Sequence, residues 1–378
     1  MESKKRILFI ITRLTIGGVA AHLIQTARYF EEKGYECLIM TGSIEEKDQE
    51  MLKFHSNFMI KPLYLKEMVR PVNPFKDIIA IIHLVKVLRK LKPDIVHTHT
   101  VKAGLIGRMA AWICGVPKIY HTYHGLNFQG YFGFFFTQIS ILIERCMARI
   151  STRLISLSPL LTNDLLNYNI CSEDNIATIP LGFDFDNALQ PKSLKKVFDI
   201  PENKVIVAII GRLAPIKNHD LFIDIAETVI KCNPDIQFLI IGDGERRDEL
   251  QALIDLKSLQ KSVIITGFFE DLNEYYLEID ISVLTSINEG TPVTILEAFF
   301  FNVLVVSTNV GGVPDLITNG YNGFLFDVKD KDSFVKMILD YADHQDKYQE
   351  IMNNANKIVK EKYSLQNTCD QLLRLYGI

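Results

Sequence analysis

At 378 residues the chain is longer than one ordinary core accommodates, so two domains are expected. A 48% hydrophobic and 23% charged composition excludes a disordered chain, and six scattered cysteines without a Cys-x-x-Cys pair exclude a disulfide framework or zinc cage. The net charge of −4 divides unevenly, with 22 Lys and Arg against 16 Asp and Glu in residues 1–185 and 19 against 29 in 186–378; interspersed acids argue against a nucleic-acid partner.

Apolar β-branched runs alternate with helical-period segments along the chain, the pattern of parallel sheets built from βαβ units. The first strand is expected at residues 7–11. It follows Lys4 and Lys5 but is too short for a signal-peptide core, which with the cysteine usage predicts a cytoplasmic protein. Gly17 and Gly18 come next, where paired glycines either let backbone N–H groups approach a phosphate or make a tight turn. Further strands are expected at 37–40, 95–97, 118–121, 154–157 and 176–179. His97 and His99 end one strand, and His121 and His124 end the next. His124, before Gly125, is the one best placed to reach a ligand, and a metal site is not expected because no carboxylate or Cys joins the group. The segment 127–136 then holds six aromatics in ten residues. It either starts a core helix continuing through Ile139, Leu142 and Ile143, or lies partly exposed beside Arg145, Arg149 and Arg153 as a surface for anionic lipid.

The first domain is expected over 1–183 and a linker over 184–203, where Pro191 and a basic cluster interrupt any period. Asp184 and Asp186 spell a metal-binding Asp-x-Asp but fall in this linker, and are discounted. The second domain is expected over 204–360, with strands at 205–210, 238–241, 263–266, 281–284, 303–307 and 323–326. A helix over 361–378 is expected to pack back toward the first domain. After the strand at 205–210, Arg212 and Lys217 stand five residues apart in a loop held by Gly211 and Pro215, a spacing suited to a diphosphate. Gly242-Asp243-Gly244 lacks the third glycine of a dinucleotide fingerprint. In residues 286–297, Thr291 reads as an N-cap with Pro292 as the first helical residue. Glu289 then lies in the loop before the helix and Glu297 in its second turn, two carboxylates suited to sugar or ribose hydroxyls.

Together these segments resemble glycosyltransferase family 4, retaining enzymes of the two-domain GT-B architecture, over essentially the whole chain. The second half carries the more specific motifs: Gly211-Arg212 with Lys217-Asn218, Gly242-Asp243-Gly244-Glu245, Gly267-Phe268, Glu289 and Glu297 at E-x7-E spacing, and Gly311-Gly312-Val313-Pro314. Gly17-Gly18, His124-Gly125 and Pro180-Leu181-Gly182 match the first half. The resemblance implies two Rossmann-like domains facing across a cleft and transfer of a hexose or N-acetylhexosamine from a nucleotide diphosphate donor, with UDP favoured. It implies that Arg212 and Lys217 bind the diphosphate, Glu297 the ribose and Glu289 the sugar hydroxyls. Gly17 and Gly18 would approach the phosphate and sugar, His124 would contact the sugar, and Gly267 and Phe268 would meet the base. Gly242, Gly290, Thr291, Pro292 and Val293 complete the implied donor side, and His124, Glu289, Arg212 and Lys217 the implied catalytic set. No metal or other cofactor is implied. The implied acceptor is a saccharide or lipid-linked saccharide of cell-surface polysaccharide assembly, and the exposed alternative for 127–136 would add peripheral contact with an anionic membrane at its cytoplasmic face. Asp315, Thr291-Pro292 and Asn302-Val303-Leu304 depart from the family's usual residues, and Thr291 bears on donor identity. A nucleotide-sugar epimerase and a non-catalytic nucleotide-sugar-binding protein are the alternatives. A dehydrogenase is disfavoured because no complete Gly-x-Gly-x-x-Gly follows a strand.

Overall fold

The computed structural model describes residues 4–14, 18–42, 61–69, 73–126, 133–184, 192–269 and 272–378. Gly17, Asp186 and positions 127–132 of the aromatic segment lie outside the described residues. The chain forms two compact units, Met1–Asp184 with Tyr363–Ile378, and Phe185–Lys362.

In the first unit the apolar runs become β1 (Arg6–Ile11), β2 (Glu36–Gly42), β3 (Leu63–Leu65), β4 (Ile95–His99), β5 (Lys118–Tyr123), β6 (Arg153–Ser156) and β7 (Ile176–Thr178). They pair in parallel in the order β3-β2-β1-β4-β5-β6-β7. Residues 7–11 are buried without a break, because helices cover both faces of such a sheet. Strand β3 is absent from the sequence expectation: three residues with exposed Tyr64 leave no period to read.

Those helices are α1 (Gly18–Glu32), α2 (Pro74–Leu91), α3 (Val101–Ile113), α4 (Phe134–Arg149) and α5 (Pro159–Asn167). The local chemistry sets their starts. Asn73 accepts from the Lys76 N–H at 3.1 Å ahead of Pro74, and Ser158 accepts from the Leu161 N–H at 3.3 Å ahead of Pro159. Helices α2 and α3 pack on the sheet face of Leu8, Ile10, Val96 and Ile119, and α4 packs on the same face through Tyr123 and Leu154. Helix α1 covers the opposite face, that of Ile7, Phe9 and Ile155.

In α4, Ile141, Glu144, Met147 and Ala148 face inward, whereas Phe135, Phe136, Ile139, Leu142 and Ile143 are exposed. This corrects the core-helix alternative for Ile139, Leu142 and Ile143. The inward face is fixed by buried Glu144, which accepts from Arg108 Nη2 at 2.8 Å and from the Tyr123 hydroxyl at 2.6 Å.

The second unit contains β8 (Val205–Ile210), β9 (Ile236–Ile241), β10 (Val263–Gly267), β11 (Ile281–Leu284), β12 (Leu304–Thr308) and β13 (Phe324–Phe326). All are parallel, in the order β10-β9-β8-β11-β12-β13. Its helices longer than one turn are α6 (His219–Cys232), α7 (Arg247–Leu256), α8 (Val293–Phe300), α9 (Lys331–Asp343) and α10 (Gln349–Lys362). In each sheet the strand order reverses, between β1 and β4 and between β8 and β11. Ligands gather at the carboxyl ends of strands beside such a reversal. The last helix, α11 (Leu365–Tyr376), returns to the first unit, placing Cys369, Leu372 and Tyr376 in the core under α1.

Candidate functional site

In the second unit, the loops leaving β8 to β12 are tied into one shelf. The Gly211 N–H donates to Ile241 O at 2.9 Å, Gly242 to Gly267 O at 2.9 Å and Leu213 to Asp243 O at 3.0 Å. Ile287 donates to Ile216 O at 2.9 Å, and Gly312 to Glu289 O at 3.0 Å. A side chain could not replace the hydrogen of Gly242 or Gly312, since a Cβ there would stand 2.0 Å from Gly211 O or 2.1 Å from Gly290 O.

Lys217 ends a short 3-10 turn before Asn218, whose left-handed backbone starts α6. Its Nζ lies 2.5 Å from Glu289 Oε1, with side chains 25% and 11% exposed. Ser286 Oγ donates to the same carboxylate oxygen at 2.6 Å. The Thr285 hydroxyl donates to the carbonyls of Lys217 and Asn218, and Thr308 Oγ1 to Ser286 O, so both loops are held from beneath. The two residues read from the sequence as diphosphate and sugar contacts are therefore one ion pair. Arg212 differs: its side chain is 62% exposed, and its nearest acid is Glu245 at 3.7 Å.

Glu297, in the second turn of α8, accepts at 2.9 Å from the hydroxyl of fully buried Tyr276. Burial, reinforced by that carboxylate, holds the Tyr276 phenol well above its usual range. The sequence offered no sign of Tyr276, because only tertiary folding brings its 3-10 segment, Leu272–Glu278, against α8. One cap is corrected. Helix α8 begins at Val293 with Pro292, extended at ψ 111°, as the N-cap; Thr291 is not the cap, and no side chain caps this end. The approach of Gly311 and Gly312 to Glu289 and Gly290 keeps the chain extended one residue further than composition implied. Phe268 is exposed just beyond the end of β10.

In the first unit, the strand ends gather histidines. His99 Nδ1 and His124 Nε2 are 3.0 Å apart, and the His97 and His99 rings lie 4.3 Å centroid to centroid. His97 bonds the Tyr376 hydroxyl and, at 2.7 Å, Thr122 Oγ1; His121 bonds Thr98 Oγ1 at 2.9 Å. His97, His99 and His121 are therefore built into the fold. Burial pushes His124 and His97 down to about 3, so both imidazoles are neutral at pH 7. His124 Nδ1 is buried and has no hydrogen-bond partner among the described residues. Thr12 and Thr100 share a hydrogen bond of 2.6 Å that joins the end of β1 to the start of α3. Gly18 is the first residue of α1. Asp184, whose N–H donates to Gln25 Oε1 at 3.2 Å, closes this unit's first segment. Among the described residues, no three His, Cys, Asp or Glu are grouped to hold a metal ion.

Residues 16–187 match the sequence profile described as Glycosyltransferase Family 4, and 191–358 that of Glycosyl transferases group 1. The chain is 32% identical over 332 residues, 84% of each protein, to a UDP-Gal:alpha-D-GlcNAc-diphosphoundecaprenol alpha-1,3-galactosyltransferase of Escherichia coli. It is 25% identical to the capsular polysaccharide biosynthesis glycosyltransferase CapM of Staphylococcus aureus, over 89% of this chain and 90% of the other. Among solved structures, Anabaena Alr3699/HepE in complex with UDP-glucose shares the fold with a TM-score of 0.81 at 20% identity, covering 98% of this chain and 99% of that one. Both sequence relatives carry the name of a glycosyltransferase, which supports neither the epimerase nor the non-catalytic alternative.

Proposed function

Because the chain belongs to glycosyltransferase family 4 and is a glycosyltransferase, we propose that it takes a hexose or N-acetylhexosamine from a UDP-linked donor and transfers it, with retention, to a lipid-linked saccharide. The observation that carries this reading is the half-buried Lys217–Glu289 pair, held by Ser286 on the shelf that leads into α8. A preorganised cation beside a helix N-terminus suits a leaving diphosphate, and a fixed carboxylate suits sugar hydroxyls. Arg212, exposed on the neighbouring loop, is free to swing onto the same diphosphate. Glu297, oriented by the Tyr276 hydroxyl, would accept from the ribose.

In this mechanism the glycosidic bond to the diphosphate breaks as the acceptor oxygen bonds the anomeric carbon from the same face. The departing phosphate oxygen takes the acceptor's proton. Protein cations and backbone N–H groups stabilise the developing charge, and transfer needs no metal. A neutral His124 fits a hydrogen-bonding contact to the sugar, not proton transfer. The donor in the galactosyltransferase's name and the UDP-glucose in the structural relative support the choice of UDP, and the diphosphoundecaprenol acceptor supports a lipid-linked one. On this reading the enzyme works in the cytoplasm against the inner face of the cell membrane. Among the described residues no helix is long and apolar enough to cross it.

The test is a screen of UDP-sugars read by UDP release in excess chelator, with membrane extract as acceptor source. One donor turned over faster with extract is expected. Absence of both UDP binding and turnover would overturn the reading, and activity restored only by Mg²⁺ or Mn²⁺ would overturn metal independence.

A further inference from the structure

We propose that the outward faces of α2 and α4 form one docking surface for an anionic phospholipid bilayer. This deepens, and for its biological purpose rests on, the reading of a lipid-linked acceptor. Each helix contains a single acid, Asp77 in α2 and Glu144 in α4. Both acids are turned inward onto α3, which lies between the two helices. Asp77 pairs with Lys102 at 2.8 Å and Glu144 with Arg108 at 2.8 Å, all four side chains being largely buried. Neither helix therefore contributes an acid of its own to its outward face; Glu67, from the segment before α2, reaches that face at His83 Nδ1, 3.0 Å away, with its side chain 28% exposed.

What remains outside is apolar and basic. On α2, Phe75, Ile78, Ile79 and Ile82 recur at helical spacing, and Phe75 is 83% exposed. Exposed Lys86, Arg89 and Lys90 follow on the same side. On α4, Phe135 is 70% exposed, Ile139, Leu142 and Ile143 continue its stripe, and exposed Arg149 ends it. Scattered single apolar residues need no explanation, but two stripes on the helices that flank α3 amount to a face unpartnered among the described residues. Apolar residues beside cations, with no outward acid from either helix, is the composition that seats an amphipathic helix in an anionic headgroup layer. A water-facing helix surface would carry both signs of charge, as α7 does with Arg247 beside Asp248, Glu249 and Asp255.

The orientation agrees. Helices that link parallel strands run back against them, so the apolar N-terminal ends of α2 and α4 lie at the sheet edge where β4 and β5 present His99 and His124. The greasiest part of the face thus borders the edge at which an acceptor would meet His124, and a lipid-anchored acceptor need not leave the bilayer far.

Co-sedimentation of the full chain with vesicles of phosphatidylglycerol and phosphatidylcholine, against phosphatidylcholine alone, tests the surface. The wild type is expected to pellet with the anionic vesicles and to be released by salt. Ile78→Ser with Ile82→Ser, and separately Lys86→Glu with Arg89→Glu, should each lower partitioning by roughly tenfold or more. Lys261→Glu in the second unit should not, and circular dichroism would show each variant folded. Three outcomes would overturn the proposal: wild type remaining in the supernatant with both vesicles, variants pelleting as well as wild type, or sedimentation equilibrium showing a dimer that the α2 variants abolish. UDP release in vesicle-free buffer reports separately on the transferase reading, so loss of docking with turnover retained removes only the surface.

Discussion

Arg212 and Lys217 carry the same charge five residues apart, yet the fold treats them differently. Arg212 stands in solvent, so Arg212→Ala should leave thermal stability unchanged. It should weaken UDP binding by about 1.5–3 kcal/mol, the loss of a charge-assisted contact, measured by calorimetry. Lys217→Ala also strands Glu289, which is 11% exposed, and should therefore lower both UDP affinity and melting temperature. Identical behaviour of the two variants would show that the ion pair does not persist. Glu289→Gln can keep its contact with Ser286, so transfer should fall while UDP affinity holds. Glu297→Gln should chiefly lose UDP affinity, and Tyr276→Phe should show a milder version of the same loss through a carboxylate no longer held. An effect of Tyr276→Phe larger than that of Glu297→Gln would contradict that order. The Lys217–Glu289 contact joins residues 72 positions apart, which is why spacing showed two charged loops and not a pair.

At the scale of elements, the shelf depends on backbone approaching backbone. Gly312 has an ordinary φ of −85°, so its requirement is space and not conformation. Gly312→Ala should push the loop after β12 away from Gly290 and shift the start of α8. UDP affinity should fall at least as much as in Arg212→Ala, the melting temperature should fall with it, and unaltered binding would show the two loops free to part. Strands β8 and β11 have the limits their apolar runs imply, because a strand buried on both faces leaves a continuous aliphatic signature. The start of α8 was less legible. Thr291 and Pro292 satisfy the composition of a helix start, but contact with Gly311 and Gly312, distant in sequence, decides where the chain turns.

At the scale of the whole molecule, the C-terminal helix belongs to the core of the first unit and not to its surface. Tyr376 is fully buried against His97 and Tyr120, Thr368 Oγ1 donates to Pro180 O at 2.9 Å, and Tyr29 donates to Asp370 at 3.0 Å. Deleting 363–378 removes an aromatic anchor worth about 3–5 kcal/mol along with its neighbours, so cooperative melting should be lost. An unchanged melting temperature would show the helix dispensable. The same unit carries a pH dependence. Burial pushes His22 to about 4 and His97 and His124 to about 3, while the unfolded chain titrates near 6.5. A histidine with a depressed folded value stabilises fully above 6.5 and loses that contribution as pH falls toward its folded value. At pH 5 each one still neutral costs about 2 kcal/mol of stability relative to neutral pH. Denaturant midpoints should therefore drop steeply between pH 7 and 4, and a flat profile would mean these rings reach solvent.

Apolar runs, glycine pairs and the E-x7-E spacing by themselves determined the two parallel α/β halves and the family, because those signals are local and repeat along the chain. Tertiary structure alone decided that Lys217 and Glu289 are partners, that Tyr276 holds Glu297, and that the stripe of Ile139, Leu142 and Ile143 faces outward. A period shows that a helix has an apolar side, and only its neighbours determine whether that side is covered. In α4 the inward place is taken by Glu144, whose charge is satisfied by Arg108 and Tyr123 across a distance no spacing rule spans.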